Sequence, residues 1–392
     1  MNYSFCLSIV RKRKWFIGSL LVLLAAVLAG CQSIGYYKQA IAGQMEMLSN
    51  QQPLPGLIKN PDTSPKLKEK FRLVLALRQF AEKKLSLPVG QHYLRYVDLH
   101  RSNAVWNVYA APELSLKPKS WWFPVVGSVT YRGYFSEAAA NTYAAKMRKK
   151  GLDVYVGGVD AYSTLGWFND PVLNTFIEDS ERRVASLIFH ELAHQRVFIS
   201  GDTEFNEAFA TAVAEEGLRR WLLEKNDPAV LQKYQVELAR KKRFVDLIGN
   251  ARRQLESIYG DLDVEKPVNA SAETDSSKRE KKKLVLKQLR EDYAQLKQEW
   301  GGYSGYDEWF DEPINNAQLN TVATYYDLVP AFHQFITENG GQLDKFFGQV
   351  KTFSRMSKEK RHRALAEIKI SGPGQFFAPP PPPSKKVATL PM

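Results

Sequence analysis

"ASLIFHELAHQRVFISGDTEFNEAFATAVAEEG", residues 185–217, decides how this chain is read. Leu187, Ile188, Leu192 and Ala193 set an apolar helical pattern around His190, Glu191 and His194. On a helix, positions i and i+4 lie about 6 Å apart on one face. Both imidazoles therefore reach one ion, and a tetrahedral zinc suits such a pair. Glu191 directly follows the first histidine, where a carboxylate can act as general base toward a water on the metal. The apolar flanks predict a buried helix. Buried imidazoles need a partner, because an unpaired polar group inside a protein is costly.

Two histidines leave a catalytic zinc one protein ligand short. Gly201-Asp202 ends the first helix and caps a second. On that second helix Glu204, Glu207, Thr211 and Glu215 recur at spacings of three, four and four, so they share one face. The short connection makes the two helices antiparallel neighbours, and the acidic face looks at the histidines. Glu215 is either an acid that orients a histidine or a solvated helix charge.

Asn206-Glu207-Ala208-Phe209-Ala210 resembles the "N-E-x-x-A/S" turn of the gluzincin peptidases. The resemblance implies His190, His194 and Glu207 as zinc ligands and Glu191 as base. Glu207 follows His194 by thirteen residues, a shorter interval than in the well-known branches. That departure keeps Asp202, as in aspartate-type zincins, and Glu204 as rival ligands. Most of the chain is also similar to a family of bacterial lipoproteins predicted to be zinc aminopeptidases. The matching stretches are "GCQSIGYY" (30–37), "FPVVGSVTYRGYF" (123–135), "AYSTLGWFNDPVLNTF" (161–176), the zinc-site core and "LVPAF" (328–332). This likeness implies peptide substrates and a Zn2+ cofactor, and supports zinc peptidase chemistry better than action at a free amino end.

Peptide hydrolysis creates an oxyanion, which a Tyr or His donor helps to stabilise. Tyr325 and Tyr326 lead the candidates, followed by His333, Tyr131, Tyr134 and Tyr162. Residues 160–171, between a strand and the zinc helix, suit a substrate-lining loop or a buried turn. A carboxylate that holds a free α-amine is open between Asp160, Asp170 and Glu204.

The N-terminus belongs to export. Arg11, Lys12, Arg13 and Lys14 precede an uncharged run from Trp15 to Gly30, short for a membrane span of roughly 20 apolar residues. "LAGC" (28–31) resembles the bacterial lipobox, which implies that Cys31 becomes the lipid-modified first residue. Gln32, by the Gram-negative sorting rule, implies the outer membrane with the domain facing the periplasm. Cys6 lies in the removed segment, so no disulfide is expected. The net charge of +12 falls to +8 once the four basic residues of 1–30 are gone. The excess sits in runs such as 239–244, 277–287 and 357–363. Export argues against nucleic acid as their partner, and solvated helix faces near anionic lipid fit better.

The expected fold is α+β and mostly helical: a zincin-like active-site core with a small β-sheet and a projecting helical hairpin. A helix over 33–51 places Ile34, Ile41, Met45 and Leu48 on one face. The organisation runs as signal (1–30), N-terminal helical region (31–102), α+β peptidase core (103–260), charged hairpin arm (261–302), C-terminal helical region completing the core (303–370) and Pro-rich tail (371–392). These features predict a zinc metallo-aminopeptidase, with a zinc endopeptidase as the first alternative. A non-catalytic envelope lipoprotein with a structural zinc site is the second. The intact base Glu191 argues against it, since a structural site has no use for one.

Overall fold

A computed structural model of the chain describes residues 35–123, 126–161, 168–260 and 274–368. Cys31, Tyr162, the hairpin tip and the Pro-rich tail lie outside these residues. The fold is mostly helical α+β, with small sheets of two or three strands. No helix among the described residues is long and apolar enough to cross a membrane.

The chain begins with helix α1 (35–49), strand β1 (Gln52–Pro53), α2 (Leu54–Lys59) and α3 (Pro65–Leu85). Ser64 caps α3 by accepting from the Leu67 N–H, and Pro65 takes the first turn, where a missing N–H costs nothing. A β-rich block follows: β2 (Arg95–Val97), β3 (Val105–Pro112), β4 (Trp121–Phe123), β5 (Gly127–Val129) and β6 (Tyr131–Tyr134). α4 (Glu137–Arg148), β7 (Leu152–Val159), β8 (Val172–Leu173) and α5 (Asn174–Ile177) lead into the helical body. That body comprises α6 (Glu181–Arg196), α7 (Thr203–Glu224), α8 (Pro228–Tyr259), α9 (Asp275–Glu299), α10 (Asp307–Asp311), α11 (Asn316–Tyr326), α12 (Val329–Glu338), α13 (Leu343–Phe353) and α14 (Lys358–Ala366).

The antiparallel sheet β6–β3–β7 positions one wall of the site. Successive side chains of a strand point to opposite faces. Trp106, Val108 and Ala110 of β3 therefore pack on Ala140, Ala144 and Met147 of α4. Asn107, Tyr109 and Ala111 face the other way, toward Ala317 of α11. Pairing of Asn107 with Gly133 and of Tyr109 with Tyr131 puts β6 residues on that same inner face.

α6 and α7 pack as antiparallel neighbours in the main core. Phe189, Phe205, Phe209, Phe332 and Phe346 are fully buried there, each worth roughly 1.5–3 kcal/mol of burial. Gly201, at φ +81°, supplies the left-handed residue of the turn between them. Asp202 caps α7 by accepting from the Phe205 N–H. Asn206 then clamps the turn: its carboxamide accepts from the Ile199 N–H and donates to the Ile199 carbonyl, both at 2.8 Å. α8 and α9 form the expected helical pair. Their inner face, with Ile248, Leu255, Val285 and Leu289, shares a second core with Phe310, Leu319 and Val322.

The N-terminal helix forms as expected, but the face its spacing marks is not the one that packs on the body. Gly43 and Met47 are its buried residues, whereas Ile41 and Met45 face solvent. Helical periodicity told which residues share a face, but a glycine-lined face fits closer to Phe135 than a face of large side chains can.

Candidate metal centre

His190 and His194 stand on consecutive turns of α6, and Glu207 reaches them from the first turns of α7. His190 Nε2 and His194 Nε2 are 3.2 Å apart. Glu207 Oε2 is 3.2 Å from His190 Nε2 and 3.7 Å from His194 Nε2. Tetrahedral ligands about 2.0–2.1 Å from a zinc ion lie about 3.3 Å from one another. The three donor atoms thus have the spacing that such an ion needs, and one cation satisfies all three lone pairs at once. His194 and Glu207 are buried and His190 nearly so. Burial pushes the Glu207 carboxyl up, but the two histidines pull it further down, to about 2. It is therefore an anion, as a metal ligand must be. Burial lowers the His194 pKa, and the Glu207 charge more than reverses that.

Glu191 lines the same cavity and makes no hydrogen bond to another described residue. Burial raises its carboxyl above the ordinary value, with His190 and His194 opposing. A carboxylate so placed is available to a water molecule and basic enough to take its proton.

The cavity has a volume of about 340 Å³. Tyr325, at the end of α11, enters it with its ring centroid 6.4 Å from that of His190. Tyr131 lines it from β6, and Asn107 from β3, where Asn107 Nδ2 donates to the Tyr109 hydroxyl at 3.4 Å. Burial, then the nearby Glu207 charge, holds the Tyr325 and Tyr131 hydroxyls well above their usual pKa. Tyr109 is pushed up to about 12, chiefly by burial. All three remain O–H donors at neutral pH. The opposite wall is apolar, built from Phe123, Val126, Val129, Phe135, Val159 and Phe198.

The other candidates fall elsewhere. Asp202 accepts from Arg361 Nε at 2.8 Å and lies 2.9 Å from His362 Nε2, which fastens α14 to the α6–α7 turn. Glu204 pairs with Lys358 at 3.2 Å. Neither joins the two zinc-helix histidines, although Asp202, Glu204 and His362 form a cluster of their own. Glu215 binds His333 Nε2 at 2.6 Å and Lys241 Nζ at 2.7 Å, far along α7 from the metal centre, so it orients neither His190 nor His194. Tyr326 packs under Lys241, and Tyr134 in the core beneath α4. Asp170 pairs with buried His92 at 3.1 Å, and Asp160 with Arg183 at 3.3 Å.

Asn107 and Tyr109 had no place among the sequence candidates. The alternation of β3 would have shown them sharing a face, but only tertiary packing sets that face, through Asn107, in the cavity that His190 and His194 line.

A family model described as "Putative aminopeptidase" matches residues 35–365. No curated protein and no solved structure matches the chain.

Proposed function

The chain belongs to the family described as "Putative aminopeptidase", and on that premise we propose that it is a zinc-dependent aminopeptidase, carried on the periplasmic side of a Gram-negative outer membrane by a lipid on Cys31. The observation that carries the zinc is the convergence of His190 Nε2, His194 Nε2 and Glu207 Oε2 beside a carboxylate, Glu191, that has no hydrogen-bond partner among the described residues. Two imidazoles and one carboxylate are a catalytic zinc set, with a fourth position left for water or substrate. When bound, the ion supplies a Lewis acid that acidifies water and polarises a carbonyl.

The rest falls to this chain's own side chains. Glu191 takes the proton of the attacking water and returns it to the departing amine. The Tyr325 hydroxyl, protonated and facing His190, donates to the carbonyl oxygen as negative charge grows on it. Phe123, Val126 and Phe135 hold an apolar substrate side chain and exclude water from the reacting bond. Localisation rests on the "LAGC" stretch and Gln32.

One observation favours an endopeptidase as the second reading. The carboxylates lining the cavity are Glu191, Asp202 and Glu207. The first serves as base, the second is bound to Arg361 and His362, and the third serves as ligand, which leaves none of them for an α-amine. Zinc analysis of the purified chain, with hydrolysis of a leucine-initiated peptide and its N-acetylated twin, tests both readings. One zinc per chain and cleavage of the free peptide are expected. Cleavage of the blocked peptide alone would overturn the exopeptidase assignment, and a chain that neither holds metal nor cuts either peptide would overturn both.

A further inference from the structure

Helix α1 has two faces with different tasks. Its inner face is part of the active-site wall: Tyr36 and Ala40 line the catalytic cavity. Tyr36 contacts Tyr134 and Phe123, with ring centroids 5.5 and 5.8 Å away. Gln39 accepts from the Phe135 N–H at 2.9 Å, and a Cβ on Gly43 would overlap the Phe135 ring. Glu46 pairs with Arg101 at 2.9 Å, so the helix is fixed to the body along its length.

Its outer face is apolar and uncovered. Tyr37, Ile41 and Met45 follow one another at spacings of four, so they form a single stripe, and they are 42%, 64% and 56% exposed. Large apolar side chains left in water forgo the burial that a covering surface would give them, and a contiguous stripe of them marks such a surface. Trp122 on β4 is another exposed ring, 70% open to solvent. It alternates with Trp121 and Phe123, and Phe123 is the residue that touches Tyr36. Lys38, next to Tyr37 in the helix, is exposed as well. Aromatic rings, aliphatic side chains and lysines at one surface are the composition of a helix lying in a membrane interface.

We propose that Tyr37, Ile41 and Met45 rest in the phospholipid surface to which Cys31 attaches the chain. The inference rests on the lipoprotein reading above, and chain geometry commits it to lipid. Gly35, the first residue of α1, comes four positions after Cys31, a reach of at most about 14 Å. An acylated Cys31 therefore cannot hold the helix far from the headgroups. An interfacial helix buries its apolar face by about 5–10 Å, within that reach. A helix is about 10 Å across, and the opposite face of this one lines the cavity. Docking thus sets the active site beside the bilayer, where peptides emerging from or attached to the membrane are concentrated.

The test uses the full chain, purified from membranes and reconstituted into vesicles of phosphatidylethanolamine and phosphatidylglycerol. An environment-sensitive dye is placed by Ile41→Cys, or, as a control on α9, by Leu284→Cys at a residue 66% exposed. Lipids brominated on their acyl chains should quench the dye at 41 at least about threefold more than the dye at 284. Tyr37→Ser with Met45→Gln should remove that difference. A dye at 41 as open to aqueous iodide as the dye at 284 overturns docking. So does a blue shift without vesicles at twice the monomer mass, which assigns the stripe to a second copy. Mass analysis of the N-terminal peptide reads the anchor separately. An acylated Cys31 with residue 41 in water leaves the anchor standing and docking refuted, whereas an unacylated Cys31 refutes the anchor whichever way residue 41 reads.

Discussion

Tyr325 and Tyr326 are consecutive in the chain, about 100° apart around α11, and meet different surroundings. The Tyr325 ring lies 6.4 Å from that of His190, while the Tyr326 ring lies under Lys241, whose Nζ is 4.4 Å from its centroid. The first looks into the catalytic cavity, and the second bridges the two hydrophobic cores. Only the first is placed to donate to a developing oxyanion. Tyr325→Phe should lower kcat by about 10²-fold, the usual cost of one oxyanion donor, with KM little changed. Tyr326→Phe should leave kcat within a small factor. Steady-state kinetics on one peptide substrate checks the pair, and equal losses in both variants would remove Tyr325 from the mechanism.

Glu191 and Glu207 are separated by function as cleanly as by geometry. Glu191→Gln removes the base and keeps the three ligand atoms, so the variant should retain its metal and lose activity by about 10²–10⁴-fold. Glu207→Ala removes a ligand and should lose the metal on dialysis. Asp202→Asn and Glu204→Gln should keep it, because those carboxylates are directed at Arg361 and Lys358. Metal content after gel filtration checks the set, and metal retained in Glu207→Ala would move the third ligand elsewhere.

These contrasts mark what the sequence discloses. The pair His190 and His194 is a local feature, because helical spacing alone sets both on one face. Spacing on α7 offers Glu204, Glu207 and Glu215 alike, and it is the resemblance of Asn206-Glu207-Ala208-Phe209-Ala210 to the gluzincin turn that singles out Glu207. Asp202 stayed open for a reason of distance: its partners Arg361 and His362 lie about 160 positions later, and no periodicity reports them. Tyr325 and Tyr326 could not be ranked either, because adjacent helical residues diverge and only tertiary packing says which one meets the site. In α1, Ile41 and Met45 share a face as their spacing predicts, and that face is the exposed one. An apolar stripe is a statement about what needs covering, and what covers it is settled elsewhere in the assembly.

The tie between Asp202 and α14 carries a stability prediction. Asp202 caps α7 and accepts from Arg361, which is buried and also donates to the Phe353 and Met356 carbonyls. Burial pushes the Asp202 carboxyl up, but His362 and Arg361 bring it below its ordinary value. Asp202→Ala removes an N-cap worth about 0.5–2 kcal/mol. It also strands the Arg361 charge, and breaking a buried pair costs about 3–5 kcal/mol. Denaturant midpoints should fall accordingly, far more than for Glu204→Ala, whose ion pair with Lys358 lies nearer the surface. A variant as stable as the parent would show that α14 is held by its apolar contacts alone.

The network around Glu215 makes the fold sensitive to acid. Glu215 joins Lys241 of α8 to His333 of α12 from the middle of α7, so its side chain links three helices. Burial raises its carboxyl, but Lys241 and then His333 lower it further, to about 2 against an ordinary 4.5. A carboxylate whose folded pKa lies below its unfolded one stabilises the protein above the unfolded value, and that contribution is lost as pH falls through the folded one. The window is therefore between about 4.5 and 2, and a shift of this size corresponds to about 3 kcal/mol at neutral pH. Glu215→Gln should lower stability at pH 7 and flatten the acid limb below pH 4.5. Comparing the two proteins removes the loss that protonation of the metal ligands causes in both. Parallel stability curves from pH 7 to pH 2, measured by urea unfolding, would show that Glu215 is no better placed as an anion in the folded chain than in the unfolded one.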